Sequence, residues 1–140
     1  MAGTKNIQSL SVEASTKHLA EVRDFVAAHA EQIGLDQKDV SEIRLAVDEA
    51  YTNIIKHAYN NNASMKVNIE IASDGDQLWI SLMDEGDSFD PSTYHEPDLM
   101  QRIKEKKRGG MGVYLIRKLM DQVQYNRKGK TNEIRMVKNL

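Results

Sequence analysis

The stretch that most narrows the possible folds lies in the middle of the chain. Met65, Val67, Ile69 and Ile71 alternate strictly with polar neighbours, the period of a strand that buries one face. Asp74-Gly75 follows, a strong turn signal, and Leu78, Ile80 and Leu82 take up the alternation again. A hairpin with one apolar face must lay that face on something, and the preceding chain supplies it. Residues 15–33 space Leu19, Val22, Val26 and Ile33 as a helix does, with Gly34 placed to stop it. Asp36 can cap a second helix, with Asp39 in its first turn, running to about Ala58 before Asn60-Asn61-Asn62 breaks the pattern. Residues 84–110 hold no convincing period and both prolines, Pro91 and Pro97. A helix resumes over residues 112–121, and residues 123–125 and 133–138 flank a Gly129 turn as a closing hairpin. With a weak strand at residues 6–12, the order is strand, helix, helix, two strands, loop, helix, two strands. That order predicts an α+β fold, a two-layer α/β sandwich with helices on one face of a mixed, mostly antiparallel sheet.

At 140 residues the chain is expected to form a single domain over residues 1–140, large enough to bury a core without staples. It has no cysteine, which excludes disulfides and thiolate metal sites. The first ten residues lack a cationic start followed by an apolar run, so no signal peptide is expected. No stretch approaches the ~20 apolar residues of a membrane span. These features predict a soluble, cytoplasmic protein with no membrane contact. The net charge of −2 hides a split: residues 101–140 carry 12 basic and 3 acidic side chains, the first hundred 7 and 18. A nucleic-acid module would use the basic stretch, yet only Tyr114 and Tyr125 interleave there for base stacking. Direct nucleic-acid binding is therefore not expected.

Three segments carry chemistry. On the second helix, Glu49, Asn53 and His57 are successive i, i+4 neighbours on the face opposite Val40, Ile43, Val47, Tyr51 and Ile54. A solvated face would look similar, but Asn is a poor surface helix residue because its side chain competes for backbone hydrogen bonds. Glu one turn from Asn can serve as a general base and a hard-cation ligand. Next, the strand at residues 78–83 runs straight into Asp84-Glu85-Gly86-Asp87. These are ordinary turn residues; equally, a strand-end carboxylate can accept a hydrogen bond from a buried ligand, with Gly86 letting the backbone approach. Finally, Arg108-Gly109-Gly110-Met111-Gly112 stands directly before a helix. Exposed amides and a helix N-terminus make an anion site, to which Arg108 adds a fixed charge. The run lacks the lysine of a P-loop, and its alternative reading is a flexible hinge.

Together these segments resemble the ATP-binding domain of the GHKL superfamily, the Bergerat-type fold, and most nearly the bacterial anti-sigma-factor serine/threonine kinases. The likeness covers roughly residues 10–137. Residues 48–59, from Asp48-Glu49-Ala50 through Asn53 to His57-Ala58-Tyr59, resemble the family's N box; residues 82–90 resemble its first glycine box, and residues 109–116 with Leu119-Met120-Asp121 the second. The resemblance implies ATP and Mg²⁺ as cofactors. It makes Glu49 the general base and Asn53 the Mg²⁺ ligand, puts Asp84 on the adenine amino group, and has Gly86 shape that pocket. It puts Gly110 and Gly112 along the phosphates, with Gly109 and Met111 in the same ATP-binding run and Arg108 near the γ-phosphate. Residues 90–108 become the ATP lid, and Thr131 corresponds to a family threonine near the nucleotide. No role follows for His57. The implied activity is transfer of the ATP γ-phosphoryl group to a Ser or Thr of an anti-anti-sigma protein. The implied partners are that substrate, a sigma factor in a partner switch, and a second copy of the chain in a homodimer.

Two other classes compete. A histidine kinase shares the nucleotide boxes, but its acceptor helix pair needs more residues than precede residue 15, and no proline follows His18. A non-catalytic ATP-binding module, holding a sigma factor, a phosphatase or another partner, keeps the fold without transfer; the presence of both Glu49 and Asn53 removes the simplest reason to expect it.

Overall fold

The computed structural model describes residues 7–58, 65–86 and 116–140. Five strands and two long helices dominate the described residues, with a short helical stretch at residues 116–119: β1 (Gln8–Glu13), α1 (Leu19–Gln32), α2 (Gln37–Asn53), β2 (Lys66–Ser73), β3 (Gln77–Asp84), β4 (Gln122–Lys128) and β5 (Thr131–Asn139). The sheet order is β1-β2-β3-β5-β4, and all four described pairings are antiparallel. This is the α+β sandwich that the periodicities predict. β4 returns to the edge, and β5 then inserts between it and β3.

Local chemistry explains the boundaries. Ser15 does not open the α-helix directly. Its hydroxyl accepts from the Lys17 N–H at 3.3 Å and caps a 3₁₀ turn, Thr16–His18, that feeds α1. Gly34 ends α1 at φ +90°, its N–H bonding to the Glu31 carbonyl and the Leu35 N–H reaching the Ala30 carbonyl, each at 3.1 Å. That is the Schellman pattern, for which a positive φ asks for glycine. Asp36 caps α2 by accepting from the Asp39 N–H at 2.9 Å. The β2–β3 turn closes on Asp74, whose Oδ1 accepts from the N–H groups of Asp76 and Gln77, both at 3.0 Å.

One boundary differs from expectation. α2 does not run as an α-helix to Ala58 but changes at Asn53 into a π turn, Ile54–Ala58. A π turn advances fewer degrees per residue than an α turn, so adjacent side chains swing toward the same side. Ile54 and Ile55, the first two residues of the π turn, are both buried. The core is the helix-facing side of the sheet, with Val67, Ile69, Ile71, Leu78, Ile80, Leu82 and Met136 against Val22, Val26, Ile43, Val47 and Tyr51.

On the other face of the sheet Arg135 stacks over Trp79, 5.1 Å from its centroid. Among the described residues no helix is long and apolar enough to cross a membrane.

Candidate functional site

α2 runs the length of the sheet, and its two ends can be placed by contacts. Near its start Glu42 accepts from the Lys138 ammonium, and Lys138 pairs with Leu78 at the beginning of β3. Near its end the Tyr51 hydroxyl lies 2.9 Å from the Glu13 carbonyl and 2.7 Å from that of Ser15. Glu13 pairs with Lys66, which the β2–β3 register sets alongside the close of β3. α2 therefore ends where β3 ends. Asp84 is the last residue of β3, on the same face as buried Ile80 and Leu82, so its carboxylate points to the helix layer. Glu49 and Asn53, both half-buried, occupy the last turns of α2 at that same end. Three residues named from the sequence thus share one end of the sandwich.

Asp84 is 6% exposed, and its surroundings are specific. Its Oδ1 accepts from the Gly86 N–H at 2.9 Å, an Asx turn, and from the Asn132 amide at 2.9 Å. Among the described residues Oδ2 has no hydrogen-bond partner. The Asn132 amide also donates to the Gly86 carbonyl at 3.0 Å. Arg127 donates to Asn132 Oδ1 at 2.7 Å and lies 3.4 Å from the same Gly86 carbonyl. A buried carboxylate with one oxygen committed to the protein and the other uncommitted can receive an N–H from a ligand.

Thr131 stands at the first position of β5, opposite Lys128. Strand alternation turns its side chain to the face away from Asp84. The side chain that meets Asp84 belongs to the next residue, Asn132, directly across the ladder. Sequence reasoning passed over Asn132 and Arg127, because only the strand register brings them beside Asp84. The two-residue turn led by Gly129, at φ +59°, is the one local signal that aligns them.

Neighbours of the catalytic candidates have other work. Asp48, beside Glu49, turns toward α1, where Arg23 lies 3.4 Å away. Burial pushes its carboxyl above the usual range, while Arg23 and Arg44 pull it back. Glu42, on the polar side of α2, is a strut to Lys138 at the far end and takes no part in the site. The side chain of His57 and the whole run Arg108, Gly109, Gly110, Met111 and Gly112 lie outside the described residues, as does the lid region, residues 90–108. Among the described residues no group of three His, Cys, Asp or Glu side chains is placed to hold a metal.

Residues 12–138 match the family described as histidine kinase-like ATPase domain. The chain belongs to this family. It is 32% identical over 124 residues to the serine-protein kinase RsbW of Oceanobacillus iheyensis, covering 84% of this chain and 77% of that protein. The RsbW of Staphylococcus aureus is 33% identical over 129 residues, covering 88% and 80%. Two solved structures share the fold. The SiaB–SiaC complex of Pseudomonas aeruginosa aligns with a TM-score of 0.67 at 15% identity over 93% of this chain and 88% of that one. The RsbU and RsbW domains of Rv1364c from Mycobacterium tuberculosis align at 0.62 and 18% identity over 94% of this chain, which spans 31% of that longer one.

Proposed function

We propose that this chain is an ATP-dependent serine/threonine protein kinase that acts as an anti-sigma factor. It holds a sigma factor in one state and phosphorylates an anti-anti-sigma protein in the other. The observation that carries this reading is the buried Asp84, one oxygen of which no described residue engages, at the end of the sheet where α2 delivers Glu49 and Asn53. The RsbW relatives, named as serine-protein kinases, support it.

Phosphoryl transfer needs the phosphate oxygens neutralised and the acceptor hydroxyl aligned more than it needs covalent help. Asp84 Oδ2 accepts the adenine amino group, with the backbone at Gly86 forming the wall of the base pocket. Asn53 offers a half-buried amide oxygen at the end of α2, a hard donor suited to Mg²⁺, which typically takes few protein ligands and keeps water and phosphate oxygens for the rest. Bound there, Mg²⁺ supplies charge neutralisation on the phosphates. Arg108 and the amides of residues 109–112 extend that neutralisation in this reading, and Thr131 stays at the rim. Glu49, one turn before Asn53, orients the Ser or Thr hydroxyl of the substrate and takes its proton. The whole chain acts as one domain, residues 90–108 close as the lid, and the protein works in the cytoplasm as a homodimer.

The test is incubation with γ-labelled ATP and an antagonist-type protein. Label on a Ser or Thr of that protein, lost in Asp84→Asn, is the expected result. Tight ATP binding without any transfer would replace the kinase reading with a binding module.

A further inference from the structure

We propose that Asn132 and Arg127 are positioning residues that aim Asp84 and set which purine the site accepts. The inference rests on the reading of Asp84 as the base-binding carboxylate. Neither side chain needs to touch the nucleotide for it to hold.

The chemistry of the contacts fixes the orientation of the Asn132 amide. Its Oδ1 receives the Arg127 guanidinium at 2.7 Å, and a guanidinium can only donate. Its Nδ2 faces Asp84 Oδ1 at 2.9 Å and the Gly86 carbonyl at 3.0 Å, a pair of acceptors that together use both amide hydrogens. Turning the amide over would set NH₂ against guanidinium and C=O against carboxylate and carbonyl, three repulsive contacts in place of attractive ones. Arg127 therefore reinforces the polarity of Asn132 that the two acceptors also require. Asn132, with the Gly86 N–H at 2.9 Å, then holds Asp84 Oδ1. The carboxylate plane is locked by two donors on one oxygen, and the other oxygen is presented in a single direction.

An ionised carboxylate oxygen only accepts. A 6-amino group on a purine satisfies it, whereas a 6-oxo group sets acceptor against acceptor. Sites built to hydrogen-bond a ligand N–H reject analogues lacking it far more strongly than apolar pockets reject a changed methyl. That rejection depends on the carboxylate being unable to turn. Without the clamp, Asp84 can rotate about its terminal torsion, which is intrinsically broad, and present a compromise geometry to either base. Arg127 belongs to the edge strand β4 and is exposed, so its replacement leaves the core intact.

The experiment compares dissociation constants for Mg-ATP and Mg-ITP, which differ at the 6-position, in the wild type, Arg127→Leu and Arg127→Lys. The wild type should prefer ATP. Arg127→Leu should lose about tenfold in ATP affinity with ITP changed less than about twofold, so the ratio collapses. Arg127→Lys, which still donates to Asn132, should restore most of the ratio. Equal losses for both nucleotides would show a purely structural role and overturn the clamp, as would an unchanged ratio. A wild type that binds ATP and ITP alike, or an Asp84→Asn variant with undiminished ATP affinity, would instead remove the base-binding role of Asp84 on which the clamp depends.

Discussion

Replacing Tyr51 by Phe removes one oxygen atom from the junction between α2 and the end of β1, and the structure says how much that should cost. The ring is fully buried, between Glu49 and Asn53 along α2. Burial pushes its hydroxyl above the ordinary phenol range, which keeps it a donor at neutral pH. The hydroxyl meets the carbonyls of Ser15 and Glu13 at 2.7 and 2.9 Å and receives the Ser15 N–H at 3.3 Å. One proton can serve only one carbonyl at a time, and each partner has another bond. The Ser15 carbonyl also accepts from the His18 N–H at 3.1 Å, and the Ser15 N–H also reaches the Glu13 carbonyl at 2.8 Å. No group is orphaned, so the loss should sit near the ~1 kcal/mol net worth of a hydrogen bond rather than the ~3 kcal/mol of an abandoned buried group. In a domain of this size that corresponds to a fall in Tm of roughly 3–5 °C. Tyr51→Ala, which also empties the ring's space, should cost about 3–5 kcal/mol. Urea unfolding of the three proteins measures both differences. A Phe variant as unstable as the Ala variant would refute the reasoning, because it would mean that the remaining bonds do not satisfy the junction.

Other expectations concern charge and chemistry. Glu49→Ala should retain nucleotide binding, measured by titration calorimetry, and lose phosphate transfer; transfer at the normal rate would remove Glu49 as the base. Lys138, buried and bonded to Glu42 and to the Leu119 carbonyl at 3.0 Å, clasps α2 to the chain before β4. Lys138→Met should lower the urea midpoint by an amount worth about 1–3 kcal/mol, and an unchanged midpoint would show that the clasp contributes nothing. His29 is buried between Gln8 and Ser73, and desolvation pushes its pKa below the ordinary value. On acidification the unfolded chain takes up that proton first. Stability from neutral His29 is thus complete above pH ~6.5 and declines below it. Urea midpoints at pH 7.5 and 5.5 should differ less in His29→Gln than in the wild type; an equal difference would place the titration elsewhere.

Much of the fold is legible in the sequence because its signals are local. The alternation through Ile69 and Ile71, the Asp74 turn and the Gly34 stop each depend on residues within a few positions, and each appears in the structure as read. Glu49 and Asn53 share a helix face by the geometry of the α-helix alone. The π turn after Asn53 was not legible. Nothing local in Ile54-Ile55-Lys56-His57-Ala58 marks the change of hydrogen-bond pattern.

The sequence by itself determined most of the elements, their order and the candidates for nucleotide chemistry. Tertiary structure decided which of those residues meet. Asn132 reaches Asp84 across 48 positions because β5 inserts beside β3, and Glu42 becomes a strut because Lys138 faces it across 96. Strand neighbours and register have no local code: a slip of one residue would exchange Asn132 for Thr131, and only the burial of the whole sheet face against the helices forbids it.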